Sequence, residues 1–241
     1  MTGTHEAEVW KYVDEVLDGT RPACIELRQA CERFRDDWTS GKWDINPYEA
    51  DYIIDKIQTQ FIHRKGETLD GTPLKGKPLL LELWQKFCIY GMFVFYVPGT
   101  KLRRVKEAFI FIPRKNGKTL FVSAVCWAMA LLSVRSGATI YIVAAALKQA
   151  MESFLNIRNN LYKNLYDGED DAKDDGWRVL DNNMQHVIEN DDIGGGSLHI
   201  EALAANPDAQ DSLNCNAAIA DELHAYKSPT QYNIIREAMK A

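Results

Sequence analysis

The sequence predicts an α/β fold: a mostly parallel sheet carrying helices, with a helical subdomain in front of it. Three stretches carry this reading. The apolar run Phe109-Ile110-Phe111-Ile112 stops at Pro113 and a polar, glycine-containing turn, and a long apolar segment follows, which reads as strand, loop and helix. After Gly137, Ala138 to Ala144 (ATIYIVA) has the continuous apolar character of a buried parallel strand, and the amphipathic stretch Ala145 to Leu165 follows it as a helix. Further on, Asn216 to Glu222 (NAAIADE) is a small apolar run ending in two adjacent carboxylates.

The first and third stretches also carry chemistry. Gly117-Lys118-Thr119 at a strand-to-helix turn is the end of a P-loop, in which backbone N–H groups and the first helical turn face a phosphate chain. Lys118 would neutralise β- and γ-phosphate oxygens, and the Thr119 hydroxyl would bind Mg²⁺. The first glycine of G-x-x-x-x-G-K-[ST] is replaced by Ile112, so the loop departs from the common form. A strand ending in Asp221-Glu222 downstream fits a Walker B strand. Its aspartate would hold Mg²⁺ through water, and the following glutamate would polarise the attacking water. Together the two motifs predict an ATP-binding P-loop NTPase sandwich of the ASCE type.

From the start of the chain, Glu6 to Leu17 has helical spacing (Val9, Val13, Val16, Leu17) and stops at Asp18-Gly19. A second helix begins after Pro22, and a third is expected from about Pro47 to Phe61, leading into a glycine-rich basic connection from Lys65 to Lys77. Residues 1–77 therefore read as a helical subdomain and 78–241 as the P-loop core. Leu79 to Tyr96 is almost wholly apolar apart from an embedded Trp84-Gln85. A glutamine amide can both donate to and accept from an adenine edge, although a lone glutamine in an apolar helix also serves simply as a backbone partner. Gln185 to Glu189 and Leu198 to Leu203, flanking Gly194-Gly195-Gly196, predict a hairpin, and Pro229 opens a last helix.

With 241 residues, 46% of them hydrophobic, the chain can bury one substantial core. Its net charge of −6 is mostly local: Asp167, Glu169, Asp170, Asp171, Asp174 and Asp175 stand against Lys173 alone, a run expected to be a solvated loop. Two basic groups, Lys101, Arg103, Arg104, Lys106 and Arg114, Lys115, are candidates to meet phosphate. The five cysteines lack paired spacing and read as reduced thiols, the histidines have no metal-like spacing, and the apolar segment Leu120 to Val134 is short for a bilayer crossing.

Four segments carry a closer resemblance: Tyr12 to Trp38 (YVDEVLDGTRPACIELRQACERFRDDW), Leu-x-x-Trp-Gln at Leu81 to Gln85, Pro-Arg-Lys-Asn-Gly-Lys-Thr at Pro113 to Thr119, and Ile-Ala-Asp-Glu-Leu-His at Ile219 to His224. Across nearly the whole chain the sequence resembles the large subunit of tailed-phage terminases of the HK97-like type. The resemblance implies the ATPase of a motor that packages double-stranded DNA into procapsids in the cytoplasm of a bacterial host. Its implied partners are a terminase small subunit, the portal protein and further copies in a ring, with no membrane. It implies Gln85 as the adenine contact and Arg114 as the P-loop arginine acting in catalysis. Lys115, Asn116, Gly117, Lys118 and Thr119 would line the phosphates of ATP, Thr119 and Asp221 would hold Mg²⁺, and Glu222 would be the catalytic base. The nuclease of such proteins is expected beyond this chain. The rival expectations are a superfamily-2 helicase-like translocase, suggested by Gln85 and the DELH sequence, and a nucleotide-binding fragment without turnover.

Overall fold

The computed structural model describes residues 3–68, 70–113, 115–204 and 214–239, which form two compact units. The first comprises Met1–Gln58 and Leu80–Ile112, and the second Thr59–Leu79 and Pro113–Ala241.

The first unit is built from α1 (Glu6–Leu17), α2 (Ile25–Thr39), α3 (Tyr48–Gln60) and α4 (Leu83–Phe93), with one short antiparallel pair, β1 (Asp44–Ile45) against β2 (Phe95–Tyr96). The apolar stripe of α1 (Val9, Tyr12, Val13, Val16) is buried, as the spacing predicts. Phe34 of α2 sits at the centre of an aromatic cluster, its ring 5.4 to 5.6 Å from those of Trp10, Trp38, Phe87 and Phe95. α1 and α4 are also tied by charge: the buried Lys86 ammonium donates to Glu8 at 2.6 Å, and that carboxylate also meets His5 Nδ1 at 2.9 Å. These contacts explain why this unit takes in residues 80–112, beyond the boundary at 77/78 read from sequence.

One expectation fails in this unit. Residues 109–112 form no strand among the described residues; Phe109 and Phe111 are 77% and 86% exposed, their rings stacked 6.3 Å apart. Apolar, β-favouring side chains need a neighbouring strand to take their backbone groups, and among the described residues this run has none. The basic group at 101–106 is partly structural: Arg103 pairs with Glu49 and lies over Phe93, while Arg104 pairs with Asp37 and lies over Trp43.

The second unit holds a five-stranded mixed sheet in the order β4-β5-β6-β3-β7, made of β3 (Ala138–Ala144), β4 (Arg178–Asp181), β5 (His186–Ile193), β6 (Gly196–Ala204) and β7 (Ala217–Asp221). β3 runs parallel to both β6 and β7, and β4 and β5 add antiparallel. The predicted hairpin is present between β5 and β6, and Gly194 and Gly195 turn it at φ 57° and 77°. α5 (Lys118–Ser133) and α6 (Leu147–Asn160, continued by a π-helical turn to Leu165) both pack on β3 and β6, over buried Ile140, Ile142, Leu198 and Ile200. The helical run Lys118–Ser136 is 19 residues, long and apolar enough by composition to cross a bilayer. Its buried Phe121, Ala124 and Trp127 make it the core helix of the sheet instead.

The acidic run forms a short exposed helix, α7 (Glu169–Asp174), rather than a loop, because Glu169, Asp170 and Asp171 in its first turn suit the positive end of a helix. The basic connection at 59–79 folds on itself through the bridges Ile62–Pro78 and Glu67–Pro73. Asn160, buried in α6, accepts the Ile62 N–H at 2.6 Å, and Arg64 pairs with Glu152 at 2.7 Å. α8 (Thr230–Ala238) closes the unit, opening at Pro229 as expected.

Candidate nucleotide site

α5 starts from a turn that passes twice through left-handed backbone, at Lys115 (φ 68°) and at Gly117 (φ 72°, ψ 14°). The Asn116 amide donates to the Pro113 carbonyl at 3.2 Å, closing the turn from inside. Nothing lies within 4 Å of where a Gly117 side chain would begin, so glycine is required there by conformation and not by room. Lys118 and Thr119 are the first residues of the helix, where backbone N–H groups have no partner within the helix.

The opposing element is the end of β7. Its five residues pair in register with β3, from Ile140 opposite Ala217 to Ala144 opposite Asp221. Asn216 fixes the entry, donating its own N–H to the Thr139 carbonyl at 2.9 Å and accepting the Thr139 N–H on its side chain at 2.7 Å. Asp221 therefore falls at the carboxyl end of two parallel strands, the edge where open α/β sheets gather ligands, and it is only 8% exposed. Glu222 follows in left-handed backbone (φ 51°, ψ 44°), its N–H donating to Asp221 Oδ1 at 2.9 Å.

Lys118 joins the two elements. Its ammonium donates to Asp221 Oδ1 at 3.0 Å and to Glu222 Oε1 at 2.8 Å. Partial burial alone would pull the lysine pKa down, but the hydrogen bonds and charges of Glu222 and Asp221 outweigh it and hold the pKa above its ordinary value. His224 Nδ1 lies 3.4 Å from the other Glu222 oxygen on an exposed side chain.

The remaining expected residues stand as follows. Gln85 is in the first unit, where its amide oxygen accepts the Glu82 N–H at 2.8 Å and caps α4. Arg114 lies outside the described residues. Lys115 is exposed on the loop. One residue of the site escaped the sequence reading altogether: Tyr226, whose hydroxyl donates to the Val143 carbonyl at 2.9 Å. Nothing in its local sequence marks it, because its partner lies on β3.

The donor set fits a magnesium ion. Asp221 and Thr119 offer hard oxygen donors, and the two carboxylates already receive one cation, the Lys118 ammonium. No cluster of three His, Cys, Asp or Glu able to hold a metal occurs among the described residues.

A lysine at the head of a core helix, entered through a left-handed glycine and facing an Asp-Glu pair at the carboxyl edge of a parallel sheet, is the arrangement of a P-loop fold. The family model described as terminase large subunit, ATPase domain, matches residues 83–241, and the chain belongs to that family. Among solved structures it is similar to the large terminase from the thermophilic bacteriophage D6E, at 14% identity and a TM-score of 0.38, over 53% of this chain and 29% of that one. The chain thus spans less than a third of the length of that relative. No curated protein matches.

Proposed function

We propose that this chain hydrolyses ATP with Mg²⁺ and that the hydrolysis drives double-stranded DNA into a procapsid. The observation that carries the reading is the Lys118 ammonium bonded to both Asp221 and Glu222, which brings the two predicted motifs to one place. Phosphoryl transfer needs positioning and charge neutralisation more than covalent help. Lys118, at the first turn of α5, neutralises phosphate oxygens together with the N–H groups of that turn. Thr119 and Asp221 would hold Mg²⁺, which would supply positive charge against the phosphate oxygens. Glu222 accepts the proton of the attacking water and orients it. Arg114 adds positive charge during transfer, Lys115, Asn116 and Gly117 line the phosphates, and Gln85 contacts adenine.

The wider assembly belongs to the same proposal: a ring of copies acting with a small subunit and a portal protein, in the cytoplasm of a bacterial host. DNA contact is electrostatic and blind to sequence, since a packaging motor must accept every sequence. The test is ATP turnover by the chain with and without double-stranded DNA, beside Lys118→Ala. The expected result is magnesium-dependent hydrolysis that Lys118→Ala abolishes while the thermal melt persists. A folded Lys118→Ala protein with undiminished turnover would refute the reading.

A further inference from the structure

Glu222 and Lys115 are the two described non-glycine residues at positive φ. L-residues rarely adopt this conformation, and it persists only where the surroundings fix it. Around Glu222 the fixing groups can be named. Asp221 Oδ1 takes its N–H at 2.9 Å, and its carbonyl accepts the Ala225 N–H at 2.8 Å. The chain then makes one 3₁₀ turn, Leu223–Ala225, closed by the Tyr226 N–H on the Leu223 carbonyl at 3.2 Å. The first two bonds are local and travel with the turn. The Tyr226 hydroxyl is different, because its 2.9 Å bond to Val143 ties the end of the turn to β3, whose Val143 and Ala144 pair with Ala220 and Asp221.

We propose that Tyr226 is a positioning residue for Glu222: its hydroxyl bond to the Val143 carbonyl pins the 222–226 turn to the sheet edge and thereby holds Glu222 in left-handed backbone, with its carboxylate on Lys118. This rests on the reading of Glu222 as the group that activates water. The phenol keeps its proton, because burial and then the Asp221 charge raise its pKa, so it remains a donor at every physiological pH. Without the pin, the turn is free to return Glu222 to negative φ, which swings the carboxylate away from Lys118. Asp221 lies on β7 and Thr119 and Lys118 on α5, outside the turn, so nucleotide binding should survive its loss. A tyrosine that merely packs would behave otherwise, since phenylalanine supplies the same ring.

The experiment uses Tyr226→Phe in the whole chain and two readouts. In ¹³C-labelled protein, the Cα and Cβ shifts of Glu222 should move from left-handed toward right-handed values in Tyr226→Phe. In single-turnover assays, the ATP cleavage rate should fall roughly tenfold to a hundredfold with nucleotide Kd and melting temperature nearly unchanged, and Tyr226→Phe should add little on top of Glu222→Gln. Unmoved Glu222 shifts, full additivity with Glu222→Gln, or loss of binding or fold together with turnover would each overturn the pin. If the shifts move while Glu222→Gln itself turns over normally, the pin stands and the catalytic reading of Glu222 fails instead.

Discussion

The loop at Pro113 to Thr119 and the end of β7 at Ala217 to Glu222 were expected to be alike, each a strand delivering a polar tip to a phosphate. They are built differently. β7 pairs residue by residue with β3 and buries Asp221, whereas the run before the loop forms no strand and leaves Phe109 and Phe111 in solvent. Lys118 nonetheless reaches Asp221 and Glu222, because a helix head is fixed by its own backbone: left-handed Gly117, the Asn116 amide on Pro113, and the first turn of α5. A motif carried by a helix start is locally self-sufficient, while one carried by a strand end depends on its neighbour. The two meet through Lys118.

The largest effect should come from the strand-borne side. Glu222→Gln is nearly isosteric and should lower ATP turnover by about 10² to 10⁴, the usual contribution of a proton-accepting or water-orienting group. Nucleotide binding should persist, since Lys118 keeps Asp221. Asp221→Asn should do the reverse, weakening magnesium-dependent nucleotide binding by about tenfold or more, in line with the loss of one charged hydrogen bond. Equilibrium binding with and without Mg²⁺, set against single-turnover rates, separates the two. If both substitutions hit binding and turnover alike, the two carboxylates do not divide the labour as argued.

A smaller effect concerns the joint itself. The folded pKa of Lys118 is raised, so its ion pair contributes stability that is fully present below the ordinary lysine value of 10.5 and disappears as pH climbs through the higher folded value. The pair is partly exposed, so about 1 kcal/mol is the scale to expect. The stability difference between the native chain and Lys118→Gln, measured by urea unfolding, should hold from pH 7 to 10 and close above about 10.5. A difference that grows with alkalinity would mean that burial, not the carboxylates, governs this lysine.

Much of this was legible in the sequence, and what was missed shares one cause. α1 was set by its periodicity, β3 by a buried apolar run after Gly137, and the β5–β6 turn by glycines that accept positive φ; each of these signals lies within the element itself. That Lys118, Asp221 and Glu222 come together was legible because phosphate chemistry constrains the short motifs that were expected to meet. Residues 109–112 were misjudged because strand formation depends on a partner that local sequence does not reveal. α7 was missed because a charge run was weighed as solvation and not as a helix start. Gln85 shows how a residue type underdetermines its role, since the amide suited to an adenine edge also caps α4. Tyr226 was invisible because its bond crosses to β3, 83 residues earlier in the chain.

The smallest expected effect tests the comparison most directly. If Phe109 and Phe111 contributed a buried strand, replacing both by serine would cost several kcal/mol, since truncating a buried phenylalanine costs roughly 3 to 5 kcal/mol. In the structure both side chains are mostly in solvent, with their rings stacked on each other. Surface substitutions of that kind usually change stability by less than about 0.5 kcal/mol, and removing exposed apolar area favours solubility. Phe109→Ser/Phe111→Ser should therefore melt within about a degree or two of the native chain, given that 1 kcal/mol moves the melting point of a chain this size by roughly 2 to 4 °C. A control in β3, Ile142→Ala, should lower stability by about 2 to 5 kcal/mol, because that side chain is fully buried beneath α5 and α6. A double serine variant as damaged as the β3 control would show that the run before the P-loop is a core strand after all, and that the two halves of the site are built alike.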